Sequence, residues 1–199
     1  MLVYASELQG FPVLSLQVGG EIAICDFPVV DPNDLKLVAY TLTNIVQDED
    51  TGGDILVLDD VREFSKNGLI VDSGSRFVSR DEVVRLNEIM SLNFNLIGLK
   101  VVSESGKKLG KIKDYTIDTK TFMIYQIIVD RPVIKSLVDP ELTINRSQIV
   151  EIDDYKITIK NEAEKISLDQ TEDFQPNFVN PFRSEPSLQD QNESATHDS

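Results

Sequence analysis

Tryptophan is absent from this 199-residue chain, and cysteine and histidine occur once each, as Cys25 and His197. A single cysteine excludes an intramolecular disulfide and suits a reducing compartment. One cysteine and one histidine cannot supply the four ligands of a structural zinc site, so no metal is expected. His197 lies at the far C-terminal end, which leaves no Ser-His or Cys-His pair for nucleophilic catalysis. Long apolar runs are missing too; none approaches the ~20 residues that span a bilayer. The opening MLVYASELQG lacks a basic segment followed by an apolar one, so a secretory leader is not expected. Together these absences predict a cytoplasmic protein without a membrane span.

Basic residues are scarce as well: 19 Lys and Arg stand against 34 Asp and Glu, a net charge of −15. That balance argues against nucleic acid as a partner. The charge is unevenly spread, however. Residues 1–78 carry −9, 79–90 carry −1, 91–161 carry +2 and 162–199 carry −7. A mildly basic stretch is therefore flanked by acidic ones, an arrangement that favours attraction within the chain.

What the chain does contain is a repeat. Shifted by 88 residues, Leu8, Gly10, Val13, Ser15, Ile24 and Asp26 fall on Leu96, Gly98, Val101, Ser103, Ile112 and Asp114. The same offset places Val61, Glu63, Phe64, Leu69 and Val71 on Ile149, Glu151, Ile152, Ile157 and Ile159. Apolar positions that recur at a fixed offset mark one structural unit built twice. Within the units the pattern is that of strands. Asp154 to Lys160 alternates polar and apolar residues, and Tyr125 to Val129 is rich in β-branched side chains. Turn residues punctuate these runs, as at Gly19-Gly20, Lys66-Asn67-Gly68 and Ser105-Gly106-Lys107. Many short strands in some 80 residues suggest a small barrel.

One helix is expected between the copies, over residues 79–91. Ser79 and Glu82 form a capping box, and Val83, Leu86, Ile89 and Met90 recur at helical spacing. That apolar stripe is expected to pack the two barrels together. Beyond residue 166 the composition turns polar, acidic and proline-containing, that of a disordered tail. Within it Phe174, Phe178 and Phe182 fall in one nine-residue window, with Val179, Pro176 and Pro181.

Two stretches carry a family resemblance. Leu96-Ile97-Gly98-Leu99-Lys100-Val101, followed by Ser105-Gly106-Lys107-Lys108-Leu109-Gly110-Lys111-Ile112-Lys113-Asp114, resembles the opening hairpin of a PRC-barrel domain. Ile144-Asn145-Arg146-Ser147-Gln148-Ile149-Val150-Glu151-Ile152 resembles the strand before that family's closing hairpin. The first copy is more distant, with Ile22 opposite Gly110, Cys25 opposite Lys113 and an acidic insertion at residues 48–54. The resemblance implies an all-β chain: two small PRC-like β-barrels joined by a short α-helix, with a flexible acidic tail. The expected boundaries are 1–78 for the first, diverged barrel, 79–91 for the helix, 92–161 for the second barrel and 162–199 for the tail. Relatives in this family include the cytoplasmic domain of the photosynthetic reaction centre H subunit and the C-terminal domain of the ribosome maturation factor. It implies docking of proteins and no shared catalytic residue.

The residues themselves point the same way. Cys25 reads as a small strand side chain, and the Asp59-Asp60 and Asp153-Asp154 pairs sit in turns where neighbours point apart. The acidic insertion lacks the distal glutamate of a calcium loop, and the paired glycines lack a following Lys-Ser/Thr. No catalytic residue, cofactor or metal site is expected. The candidates are a basic patch, Lys107, Lys108, Lys111 and Lys113 together with Lys100, and a docking segment, Phe174, Phe178, Val179 and Phe182. The function expected is a non-enzymatic adapter that binds an unidentified protein, with self-association left open. The second reading is a factor in small-ribosomal-subunit maturation.

Overall fold

A computed structural model describes residues 1–47, 51–131 and 140–161. The described chain is mostly β, with one α-helix and two seven-stranded sheets. The first sheet contains β2 (Pro12–Ser15), β3 (Gly20–Asp31), β4 (Lys36–Thr43), β5 (Ile55–Val57), β6 (Glu63–Ser65), β7 (Gly68–Val71) and β8 (Phe77–Val78), in the order β6-β7-β2-β3-β4-β5-β8. The second contains β9 (Lys100–Ser103), β10 (Lys108–Asp118), β11 (Ile124–Asp130), β12 (Glu141–Asn145), β13 (Ile149–Ile152) and β14 (Lys156–Ile159), in the order β12-β11-β10-β9-β14-β13. Its seventh strand, β1 (Leu2–Tyr4), comes from the start of the chain and pairs with β10. The first residues thus belong to the second sheet, which corrects the boundary of 1–78 drawn for the first half. Neither sheet closes on itself.

Strand order and register run in parallel in the two halves. The parallel pair β2–β7 aligns Val13 with Leu69, and β9–β14 aligns Val101 with Ile157, each 88 residues further on. Local devices recur with them. Gly10 and Gly98 adopt φ of +78° and +87°, backbone that strains any residue with a Cβ. The buried Ser15 and Ser103 each close the turn after their strand, their hydroxyls accepting the N–H of Val18 and of Lys107.

The two halves share one interior. A single cluster of buried apolar side chains runs from Leu8, Val13 and Leu37 to Ile124, Ile157 and Ile159. The turn between β3 and β4 meets the turn between β10 and β11 across it. Leu37 N–H donates to the Phe122 carbonyl and Ile124 N–H to the Leu35 carbonyl, both at 2.9 Å. Leu35 and Phe122, both buried, take φ of +45° and +56° there. Burial and these cross-half hydrogen bonds hold a conformation that costs about 1 kcal/mol or more per residue. The two small barrels expected from the repeat are thus seen as two open sheets around one interior.

The helix is corrected in extent and in place. Glu82 does accept the Ser79 N–H, at 2.7 Å, but this box closes a 3₁₀ turn over Arg80–Glu82. The α-helix, α1, is Val84–Ser91. Its Leu86 and Ile89 are buried against Val29, Ala39 and Ile55, on the face of the first sheet away from the shared interior. Arg85 reinforces this contact by donating to the buried Asp31 carboxylate at 3.2 Å. Burial alone would raise the Asp31 carboxyl; the Asn33 N–H and Arg85 outweigh it and hold it below the ordinary value of 3.8. The helix thus covers the first sheet and is not the seam between halves.

Candidate docking groove

The second sheet alternates along β9: Val101 is fully buried, and Lys100 on its other side is exposed. The same alternation holds at Ile157 beside Lys156 on β14. Because β14 and β9 are parallel and β9 and β10 antiparallel, register sets Lys156 opposite Lys100 and Lys100 opposite Lys111. Three lysines therefore stand side by side across three strands, with Asp130 of β11 next in the row. Like charges directly opposite one another in a sheet cost up to ~1 kcal/mol per pair. Lys156 lies 3.6 Å from Asp153, whereas Lys100, Lys108 and Lys111 form no ion pair among the described residues.

The row opens onto a groove of about 700 Å³. Among the described residues its cationic wall is Lys100, Lys108, Lys111, Arg131 and Lys156, Asp130 is its one acid, and Val102 and Pro140 add apolar surface. Gly110 forms part of the floor, where a bulge between Lys108 and Gly110 shifts the register with β9. The bulge is what brings Lys108 and Lys111 to one groove although an odd interval separates them. A Cβ on Gly110 would lie 2.0 Å from the Asp130 carbonyl oxygen, so the backbones of β10 and β11 meet there in a way only glycine permits.

The first half has no such surface. By register Pro12, Ile24 and Gly68 stand where Lys100, Lys111 and Lys156 do, and Gly68 is buried. A Cβ on Gly68 would lie 2.6 Å from the Pro12 carbonyl oxygen. Uncharged at these positions in one half and basic in the other, the halves differ in chemistry where their strands correspond.

Of the patch read from sequence, Lys100, Lys108 and Lys111 line the groove. Lys113 does not: it pairs with Glu141 on β12, whose carboxylate accepts from it and raises its pKa. Lys107 lies in the turn beyond β9 and is not part of the lining. Sequence reasoning misses Lys156 and Arg131, because one is brought in by a parallel pairing and the other comes after β11. Phe174, Phe178, Val179 and Phe182 lie outside the described residues, as does His197.

The remaining reactive groups are muted. Cys25 is buried, and burial pushes its thiol up to about 12, so it stays protonated near neutral pH. The Tyr40 and Tyr115 hydroxyls are buried without a hydrogen-bond partner among the described residues. Burial raises both phenols far above their ordinary range, which keeps them neutral. Tyr115 also lines a cavity of about 270 Å³ beside Phe27, Phe94 and Met90, lined among the described residues by no ionisable group other than that phenol. Among the described residues no cluster of His, Cys, Asp and Glu is arranged to hold a metal ion. No helix of the described residues is long and apolar enough to cross a membrane.

Comparison with curated proteins returns no match. Residues 88–174 match the family model of the PRC-barrel domain, a span that contains α1's last turn, the lysine row and the groove.

Proposed function

We propose that the protein is a non-enzymatic adapter of the cytoplasm, built from two PRC-barrel-like halves, whose second half receives an acidic segment of a protein partner. The observation that carries this is the Lys156–Lys100–Lys111 row opening onto an apolar-floored groove. A row of three adjacent like charges, only partly offset by Asp153 and Asp130 at its ends, is a stability cost that a bound carboxylate-rich segment lowers. The groove's size suits a peptide or a few side chains of a docked protein. The shared register at an 88-residue offset supports the first half as a diverged second copy. Its lack of that lysine row supports a scaffolding role for it, and the single, buried cysteine supports a reducing compartment.

The test compares the wild type with Lys100→Glu/Lys156→Glu in affinity capture from the native cell, followed by reconstitution with the purified partner. Reversing two of the three charges should weaken the reconstituted complex at least about tenfold, a change of roughly 1.4 kcal/mol. Equal affinity of both forms would exclude the groove. The second reading, maturation of the small ribosomal subunit, draws on the same lysines, which could face RNA phosphates. It requires co-sedimentation with small subunits that weakens steeply as salt rises.

A further inference from the structure

We infer that the groove's resident occupant is this chain's own C-terminal segment, around residues 172–182, which folds back in cis and competes with the partner. The inference rests on the groove being the docking site proposed above, and adds its regulation. Charge is the first argument: residues 162–199 carry a net −7, and among the described residues the groove is lined by five cations and one acid, with Lys100, Lys108 and Lys111 in no ion pair there. Glu172 and Asp173 immediately precede Phe174. The second is reach. The described chain ends at Asn161, two residues past β14, tied down where its side-chain oxygen accepts the Ser105 N–H and its own N–H donates to Glu104. Lys156 lies five residues back along the same strand, roughly 17 Å away at about 3.3 Å per residue. Phe174 is thirteen residues on and can lie up to ~45 Å from Asn161, more than twice the distance needed. The third is pattern. Residues four apart share one side of an extended chain, so Phe174, Phe178 and Phe182 would face the sheet together, and Pro176 and Pro181 oppose a helix. Lysine stems and Val102 offer those rings apolar surface while the ammonium groups meet the carboxylates.

Hydrogen exchange on the full chain tests this. Amides at 172–182 should exchange at least about tenfold more slowly than those at 190–199, to the same degree across a wide dilution series. Phe174→Ser/Phe178→Ser/Phe182→Ser should remove that protection while Val101 and Ile157 remain protected. Lys100→Glu/Lys156→Glu should remove it too, and adding Glu172→Lys/Asp173→Lys should restore part of it. Exchange at 172–182 as fast as at the terminus overturns the inference, and protection that vanishes on dilution assigns the occupant to a second copy instead. Either outcome leaves the adapter reading standing if the charge-reversed groove still loses its partner; equal capture by both forms removes both.

Discussion

Gly110→Ala should destabilise the protein by ~3 kcal/mol or more, a large effect for a single methyl. The added carbon would lie 2.0 Å from the Asp130 carbonyl oxygen, and φ at this position is +156°. Neither β10 nor β11 can yield easily, since both bury side chains in the shared interior on their other face. Strain at a position that glycine alone can occupy belongs to the short set of mechanisms that produce large losses. The change also reaches function, because Gly110 floors the groove and its bulge aligns Lys108 with Lys111. Chemical denaturation should show a midpoint lowered in proportion. An unchanged midpoint would mean that the two backbones stand further apart than this close approach requires.

Leu86→Asp should cost ~2–4 kcal/mol by burying an unpaired charge. Leu86 is only 4% exposed, and it packs on Val29, Ala39 and Ile55 of the first sheet. The site of the damage is informative. If α1 were the seam, both halves would loosen equally. Packed as it is, amide protection should fall first in β3, β4 and β5, and Ile157 and Ile159 should respond only when the whole fold opens. A loss spread evenly over the two sheets from the start would contradict the placement of α1.

Much of the architecture is legible in the sequence, because period-2 alternation and an 88-residue offset are local facts. Leu69 and Ile157, or Ser15 and Ser103, can be matched without knowing which strands pair. The illegible part depends on pairing. Leu2, Val3 and Tyr4 join the second sheet through a contact more than 100 residues away, which no window of sequence displays. The Ser79–Glu82 box is real, yet the chain behind it winds as a 3₁₀ turn and the helix begins afresh at Val84. Capping chemistry marks a start without dictating the kind of helix behind it.

The groove is half legible for the same reason. Five lysines between residues 100 and 113 announce a basic hairpin, and its turn lies where Ser105-Gly106-Lys107 places it. Counting along the chain would set Lys111 and Lys113 on one face. The partner Glu141 takes Lys113 away, and the bulge at Gly110 turns Lys108 toward Lys111 instead. Lys156 enters through parallel pairing of β14 with β9, and lies 45 residues from Lys111 in sequence. A glycine at position 110 where the first copy has isoleucine is the one sequence signal of close strand approach.

The claim that the lysine row is kept for binding, at a cost to folding, is tested most directly by the thermal unfolding of Lys100→Gln. Lys100 is the middle member, opposed by Lys156 on one side and Lys111 on the other. Removing its charge relieves both contacts and leaves the buried face untouched. At low ionic strength the variant should melt at a higher temperature than the wild type. The gap should close near 1 M salt, where the screening length falls to ~3 Å. A variant that melts at the same or a lower temperature at low salt would contradict the account, because the row would then carry no repulsion for a partner to relieve.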